Sequence, residues 1–224
     1  MVKAVFLDFY GTVVHEDDAI IKIVNERIFK SGNAEKPSDI GTYWWNEFQN
    51  MFIHSQGETF RTQRHLEMES LANTIKHFHS TENAIELSEL MFDHWIKPLI
   101  YEESKTFFEM CPVPIYIVSN IDTDDIIKAL AFHNLKPADI ITSEVARSYK
   151  PQKDIFEFAL QKSGLLPQDV VHIGDSIKSD VEGASALGIN TILLNRFNRY
   201  IPETAQVAIS NLLETFETKY FMKK

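Results

Sequence analysis

Ala4-Val5-Phe6-Leu7-Asp8-Phe9-Tyr10-Gly11-Thr12 is the stretch on which the fold turns. Four apolar residues in a row are what a strand shows when a parallel sheet covers both its faces. The run ends on a carboxylate, and Gly11 then lets the chain turn sharply. An acid at the carboxyl end of such a strand stands where open α/β sheets bind ligands. Taken alone, Asp8 could equally cap the turn that follows it, as aspartate commonly does.

Three later stretches repeat the pattern. Ile115-Tyr116-Ile117-Val118 ends in Ser119 and Asn120, and Ser148-Tyr149-Lys150-Pro151 holds a lysine in extended chain ahead of a helical pattern. Val170-Val171-His172-Ile173 ends in Gly174 and Asp175, with Asp180 a little over one helical turn further on. Nucleophile, hydroxyl, lysine and acid pair, in that order, resemble the four motifs of the haloacid dehalogenase superfamily of hydrolases. The resemblance spans nearly the whole chain.

Working outward, the 224 residues are enough for a sizeable core, and 44% hydrophobic with 24% charged residues is ordinary for a soluble globular protein. A net charge of −10 argues against a general nucleic-acid or anionic-membrane surface. It does not exclude a phosphorylated small molecule, since a lysine and a metal ion make one pocket locally positive. The lone Cys111 rules out an intrachain disulfide framework and suits a reducing compartment. No apolar stretch approaches ~18 residues, and the N-terminus lacks the pattern of a secretion signal. The expectation is a cytoplasmic protein with no membrane or nucleic-acid partner.

Between about residues 15 and 97 the strand pattern gives way to four helical patterns. Ile20, Ile21, Val24, Ile28 and Phe29 stripe the first, and Trp44, Trp45, Phe48, Met51 and Phe52 the second. Residues 60–78 carry the third and 85–96 the fourth, closed by Pro98. From Glu102 strands and helices alternate again: helix 103–110, strand 115–119, helix 124–133, strand 139–142, helix 153–163, strand 170–174, helix 178–187 and strand 191–194. A last strand at 205–209 and a terminal helix from Asn211 complete the expectation. Such alternation predicts an α/β protein with a parallel sheet covered on both faces. With the resemblance, this becomes a Rossmannoid core domain over 1–14 and 98–224 and an inserted helical cap over 15–97. The resemblance also implies that the first strand is central, between those ending in Ser119 and Gly174.

The resemblance makes Asp8 the nucleophile, since an attacking carboxylate divides a hard hydrolysis into ester formation and ester hydrolysis. It makes Asp8, Asp175 and the backbone carbonyl of Tyr10 ligands for Mg²⁺, which takes few carboxylates and keeps several waters. Ser119 and Asn120 would hold the transferred group through a hydroxyl and backbone N–H donors. Lys150 would neutralise developing charge, and Asp180 would orient the lysine and the metal's waters. Asp122, Asp124 and Asp125 read as caps of the next helix, and His172 as a satisfied structural residue. The Gly183-Ala184-Ala186 face reads as close helix–sheet packing. In the cap, Trp44, Trp45, His54, Arg61, Arg64 and His65 are candidate substrate contacts, although the aromatics fall on a stripe that a helical core would also need.

Tyr10 departs from the phosphatase pattern. Phosphatases of the superfamily carry a second aspartate there, which protonates the leaving oxygen and later activates water. A phenol, with an ordinary pKa of ~10, is a poor base at neutral pH. Asp-x-Tyr-Gly-Thr instead looks like the opening of the 2-haloacid dehalogenases, where a halide leaves without a proton. Those enzymes work without metal and lack the Gly-Asp of the fourth motif, which is present here as Gly174-Asp175. Asp175 beside Asp8 and Asp180 would suffer like-charge repulsion unless a cation were there. The expectation is therefore a Mg²⁺-dependent hydrolase of a small phosphate ester. A metal-independent dehalogenase and a phosphate-ester binder without turnover stand as alternatives. A Schiff-base mechanism through a cap lysine, as in phosphonoacetaldehyde hydrolases, would draw on Lys22, Lys30, Lys36 or Lys76, none of which has a distinguishing context.

Overall fold

The computed structural model describes residues 1–198, 201, 205 and 207–222. Its strands are β1 (Ala4–Leu7), β2 (Ile115–Ser119), β3 (Asp139–Thr142), β4 (Val170–Gly174), β5 (Asn190–Leu194) and β6 (Ala208–Ile209). They form one six-stranded sheet in the order β3-β2-β1-β4-β5-β6, with every neighbouring pair parallel. The central place of β1 follows its sequence: all four of its side chains are buried, so it needs cover on both faces. Leu7 is in register with Ile117 on one side and Ile173 on the other. The residues that follow each run therefore emerge at one end of the sheet, on either side of the point where the strand order reverses.

The helices are α1 (Asp18–Ser31), α2 (Pro37–Phe52), α3 (Gln63–His77), α4 (Ala84–Ile96), α5 (Ser104–Met110), α6 (Thr123–His133), α7 (Ser143–Ala146), α8 (Lys153–Ser163) and α9 (Gly183–Ser185). One face of the sheet packs Ala4, Phe6, Val118 and Val170 against Ile155, Phe156 and Ala159 of α8 and Ala184 of α9. Gly183 makes that approach possible, because a Cβ there would lie 2.9 Å from both the Phe156 ring and Pro151 Cα.

The chain divides into two compact units, Met1–His15 with Leu99–Asn120 and His133–Lys224, and Glu16–Pro98 with Ile121–Phe132. In the second, Val24, Ile28, Ile40, Trp44, Leu66, Leu71, Leu87, Met91 and Trp95 supply the buried apolar stripe of α1–α4. Trp44 donates its indole N–H to Ser70 Oγ at 3.1 Å, tying α2 to α3. Its neighbour Trp45 is 61% exposed, because adjacent helical residues point about 100° apart and only one can face α3. No helix among the described residues is long and apolar enough to cross a membrane.

The structure differs from the sequence reading in several places. Residues 121–132, assigned from sequence to the sheet-bearing domain, group with the helices. Asp122 accepts from the N–H groups of Gln63 and Arg64 at 2.7 and 2.9 Å, and Asp125 takes Arg64 bidentately at 2.7 and 2.6 Å. Both acids thus answer α3, Asp122 at its positive end, and neither side chain serves merely as a cap of its own helix. The helix expected over 178–187 begins instead as a wide π-helical turn at Ile177–Glu182 before α9. The terminal helix is a 3₁₀ segment, Leu212–Glu217, and the last strand is confined to Ala208–Ile209, with Gln206 outside the described residues. The single turn α7 went unforeseen. It is capped by the Thr142 hydroxyl, which accepts from Val145 N at 3.3 Å.

Candidate active site

Asp8 follows β1 directly, and its N–H continues the ladder by donating to the Ile173 carbonyl at 2.9 Å. The chain then folds back on itself: Phe9 O accepts from Val13 N at 2.7 Å and Val14 N at 3.0 Å, and Gly11 N donates to Val14 O at 2.8 Å. Gly11 holds a φ of +83°, and a Cβ there would sit 2.6 Å from Asp175 Oδ1, so both backbone shape and space exclude other residues. Tyr10 lies in this turn, half-buried, its ring edge-on to Phe9 at 5.2 Å.

Lys150 is only 2% exposed, quite unlike a solvated surface lysine. Its ammonium donates to Asp8 Oδ1 and to Asp180 Oδ1, each at 2.6 Å. Asn120 places it: the amide oxygen accepts from Lys150 N at 2.7 Å, and the amide nitrogen donates to Lys150 O at 3.1 Å. The Asn120 side chain is therefore occupied, and what it can offer a bound group is its backbone N–H. Ser143 Oγ in turn donates to Asn120 O at 3.0 Å. Ser119 is buried at the end of β2, next to the strand that delivers Asp8.

The fourth stretch closes around Asp180. Its Oδ2 accepts from Ser176 N at 3.0 Å, and its Oδ1 is 2.9 Å from His172 Nε2 as well as bonded to Lys150. Gly174 is obligatory beside it, since a Cβ there would overlap the Asp180 carboxyl. The π-helical turn bends the chain so that Asp180 reaches back over the end of β4, a distortion common where side chains must be aimed at a site. Asp175 has no ion pair among the described residues. The Thr12 hydroxyl donates to its Oδ1 at 3.5 Å.

Burial works against every charge in this cluster, and the outcome differs group by group. It pushes Asp8 up, helped by the Asp180 charge and only partly offset by Lys150. It opposes ionisation of Asp180 too, but the Lys150 charge and the His172 hydrogen bond outweigh it and hold that carboxyl well below its usual range. It disfavours the Lys150 ammonium, yet Asp180 and Asp8 overcome it and raise the lysine above its usual range. Asp175, farther from compensation, is pushed up to about 7 by burial and by the charges of Asp8 and Asp180.

Asp8, Asp175 and Asp180 each present an oxygen, all within 4.8 Å of one another. Asp180 has both oxygens engaged by Lys150, His172 and Ser176, which leaves Asp8 and Asp175 as the pair fit for a hard cation. Three carboxylates face one ammonium, an excess of negative charge that a divalent ion would balance. The donor set fits Mg²⁺, which binds through one or two carboxylates and water. Among the candidate cap contacts, Arg64 is paired with Asp125 and lies 4.1 Å above the Phe92 ring, Arg61 pairs with Glu69, and Trp44 is core.

Sequence reading missed Arg196, just past β5. Its guanidinium donates to Thr12 O at 2.7 Å, pairs with Glu103, and stacks 3.6 Å above Tyr101. It clamps the turn that follows Asp8, and nothing in its local sequence announces this, because every partner is remote in the chain.

A parallel α/β sheet thus gathers an acid–lysine cluster at its strand ends. The chain belongs to the haloacid dehalogenase-like hydrolase family, whose model matches residues 2–188. It is 46% identical over 57 residues to haloacid dehalogenase-like hydrolase domain-containing protein 3 of Danio rerio, covering 25% of this chain and 24% of that one. It is 35% identical over 54 residues to glyceraldehyde 3-phosphate phosphatase of Methanocaldococcus jannaschii, 24% of each chain. It is 31% identical over 85 residues to (S)-2-haloacid dehalogenase 1 of a Pseudomonas species, 37% of each. The chain thus spans about a quarter to just over a third of the length of these relatives. Among solved structures, a haloacid dehalogenase-type hydrolase of Bacillus subtilis bound to magnesium superposes with a TM-score of 0.75 at 18% identity, covering 96% of this chain and 97% of that one. The L-2-haloacid dehalogenase of Xanthobacter autotrophicus gives 0.74 at 17%, with 96% and 97% covered. Both likenesses concern the fold.

Proposed function

We propose that this chain is a Mg²⁺-dependent phosphohydrolase of small phosphate esters, with Asp8 as the nucleophile. The observation that carries the reading is Asp175, a largely buried carboxyl set beside Asp8 and Asp180 with no ion pair of its own among the described residues. Such a group is costly to keep unless a cation joins it. Asp8 and Asp175, with the Tyr10 carbonyl in the intervening turn, would hold the ion. When bound, it would neutralise charge on the phosphoryl oxygens.

The remaining work falls to this chain's side chains. An Asp8 oxygen attacks phosphorus, the bond from phosphorus to the alcohol oxygen breaks, and the alcohol leaves with a proton. Water then cleaves the aspartyl phosphate and returns the carboxylate. Lys150 keeps the Asp8 carboxylate ionised and oriented and meets charge that develops on the transferred group. Ser119 and the Asn120 N–H would hold that group. The Tyr10 phenol can donate a proton to the leaving oxygen but is a weak base for the second step.

A second reading rests on Tyr10. A phenol in place of an acid suits a reaction whose leaving group needs no proton, and one partial relative is a 2-haloacid dehalogenase. Asp8 would then attack carbon and expel halide. The deciding experiment assays phosphate esters and 2-haloacids with Mg²⁺ and with a chelator. Phosphate release that stops on chelation is expected. Halide release insensitive to chelator would replace the first reading by the second, and Mg²⁺-dependent ester binding without turnover would replace both.

A further inference from the structure

His172 lies in the middle of β4, fully buried, with Phe156 edge-on to its ring at 5.2 Å. Its Nε2 is 2.9 Å from Asp180 Oδ1, the oxygen that also accepts Lys150 Nζ at 2.6 Å. The same ammonium donates to Asp8 Oδ1 at 2.6 Å. Three side chains from three parts of the sequence thus form one line of hydrogen bonds ending on the nucleophile. His172 Nδ1 has no hydrogen-bond partner among the described residues.

Those contacts define the ring's state. The ionised Asp180 carboxylate can only accept, so Nε2 carries the hydrogen. The ring thus presents Nε2–H to Asp180 as a fixed donor.

We infer that His172 is a positioning residue for the chemistry proposed above: by donating to Asp180 Oδ1 it locks that carboxylate in the rotamer that aims Lys150 at Asp8. Asp180 needs donors on both oxygens to stay still. Ser176 N holds Oδ2 from the π-helical turn, and without the imidazole only Lys150 would hold Oδ1. The carboxylate could then swing about its last torsion, which is broad for aspartate, and the ammonium would follow it away from the nucleophile. An apolar residue at position 172 would pack as well against Phe156 but could not do this.

The test compares His172→Leu, which removes the donor, with His172→Gln, whose terminal amide nitrogen can occupy the place of Nε2. The inference rests on the hydrolase reading, so one arm measures turnover of a phosphate ester with Mg²⁺. His172→Leu should lower kcat roughly ten- to a hundredfold, the scale of a lost hydrogen bond to a charged group, with KM changed less than about threefold. His172→Gln should recover most of kcat. Equal losses in both variants, tracking a fall in Tm, would reduce His172 to a packing residue. The second arm needs no turnover. Nitrogen-15 NMR of the unmutated protein should show the Nε2–H tautomer and slowly exchanging Lys150 ammonium hydrogens, lost in His172→Leu and regained in His172→Gln. An Nδ1–H ring, or Lys150 hydrogens equally protected in His172→Leu, overturns the inference. If the unmutated protein turns over no ester, the hydrolase reading fails alone and this arm still decides.

Discussion

Glu67 offers a sharp test of how the helical unit is built. It sits on α3, 7% exposed, with no salt bridge among the described residues. Burial, reinforced by the charge of Asp17, pushes its carboxyl from the ordinary 4.5 to about 8. The folded protein therefore holds a proton that the unfolded chain gives up, and stability must fall as pH rises between the two values. The contribution is complete below pH ~4.5, declines by ~1.4 kcal/mol per pH unit, and levels off above pH ~8, a total of roughly 5 kcal/mol. Glu67→Gln preserves shape and removes the titration. Urea unfolding of both proteins from pH 5 to pH 9 isolates the effect, because every other group cancels in the difference. The variant should match the unmutated protein near pH 5 and exceed its stability by several kcal/mol near pH 9. Parallel stability curves across that range would mean that Glu67 finds water or a cation in solution and that the unit is looser around α3 than described.

Three other predictions concern the site. Tyr10→Asp supplies the missing base and should raise phosphatase turnover by ~10²–10⁴-fold, more for an alkyl phosphate than for a nitrophenyl ester, whose first step needs no acid. A folded variant that gains on neither would remove Tyr10 from the acid–base position. Because Asp175 is pushed up to about 7, Mg²⁺ must displace a proton in acid. Calorimetry should show affinity falling about tenfold per pH unit below ~7 and flat above it, with weaker binding and no such slope in Asp175→Asn. Arg196→Ala leaves Glu103 without its buried partner and Thr12 O without its donor. It should cost roughly 3 kcal/mol in urea unfolding, and a change under ~1 kcal/mol would mean the clamp is dispensable.

What the sequence made legible is what depends on neighbours along the chain. A buried run ending in Asp8, another ending in Ser119 and a third ending in Gly174-Asp175 are local patterns, and parallel pairing leaves their ends at one edge of the sheet. Lys150 could be singled out because its place before Pro151 set it apart from the other lysines. The illegible part depends on partners fixed only in three dimensions. Asp122 looks like the cap of α6, and only the fold reveals that α3 presents it with two N–H groups. Asn120 gives no sequence sign of what its side chain does, which is to bind the peptide of Lys150 through both ends of its amide. Trp45 shares the hydropathy of Trp44 but is turned to the outside.

In the conflict between Tyr10 and Asp175, the proposed reading rests more on charge balance than on either motif. Asp180 is satisfied by Lys150, His172 and Ser176 without any ion, so the lysine pairing would survive the loss of Asp175. That pairing is what a carbon-centred displacement by Asp8 needs, and Asp175 would then be a burden, a largely buried carboxyl set beside two others with no ion pair among the described residues. Its retention next to a glycine that admits no Cβ, in a turn shaped to bring its oxygens near Asp8, is a cost with a use only where a cation is bound. Tyr10 alters one side chain of the site and leaves the backbone carbonyl at that position in place. The two features are compatible in a metal-dependent hydrolase whose second step is slow, and that rate is what Tyr10→Asp measures.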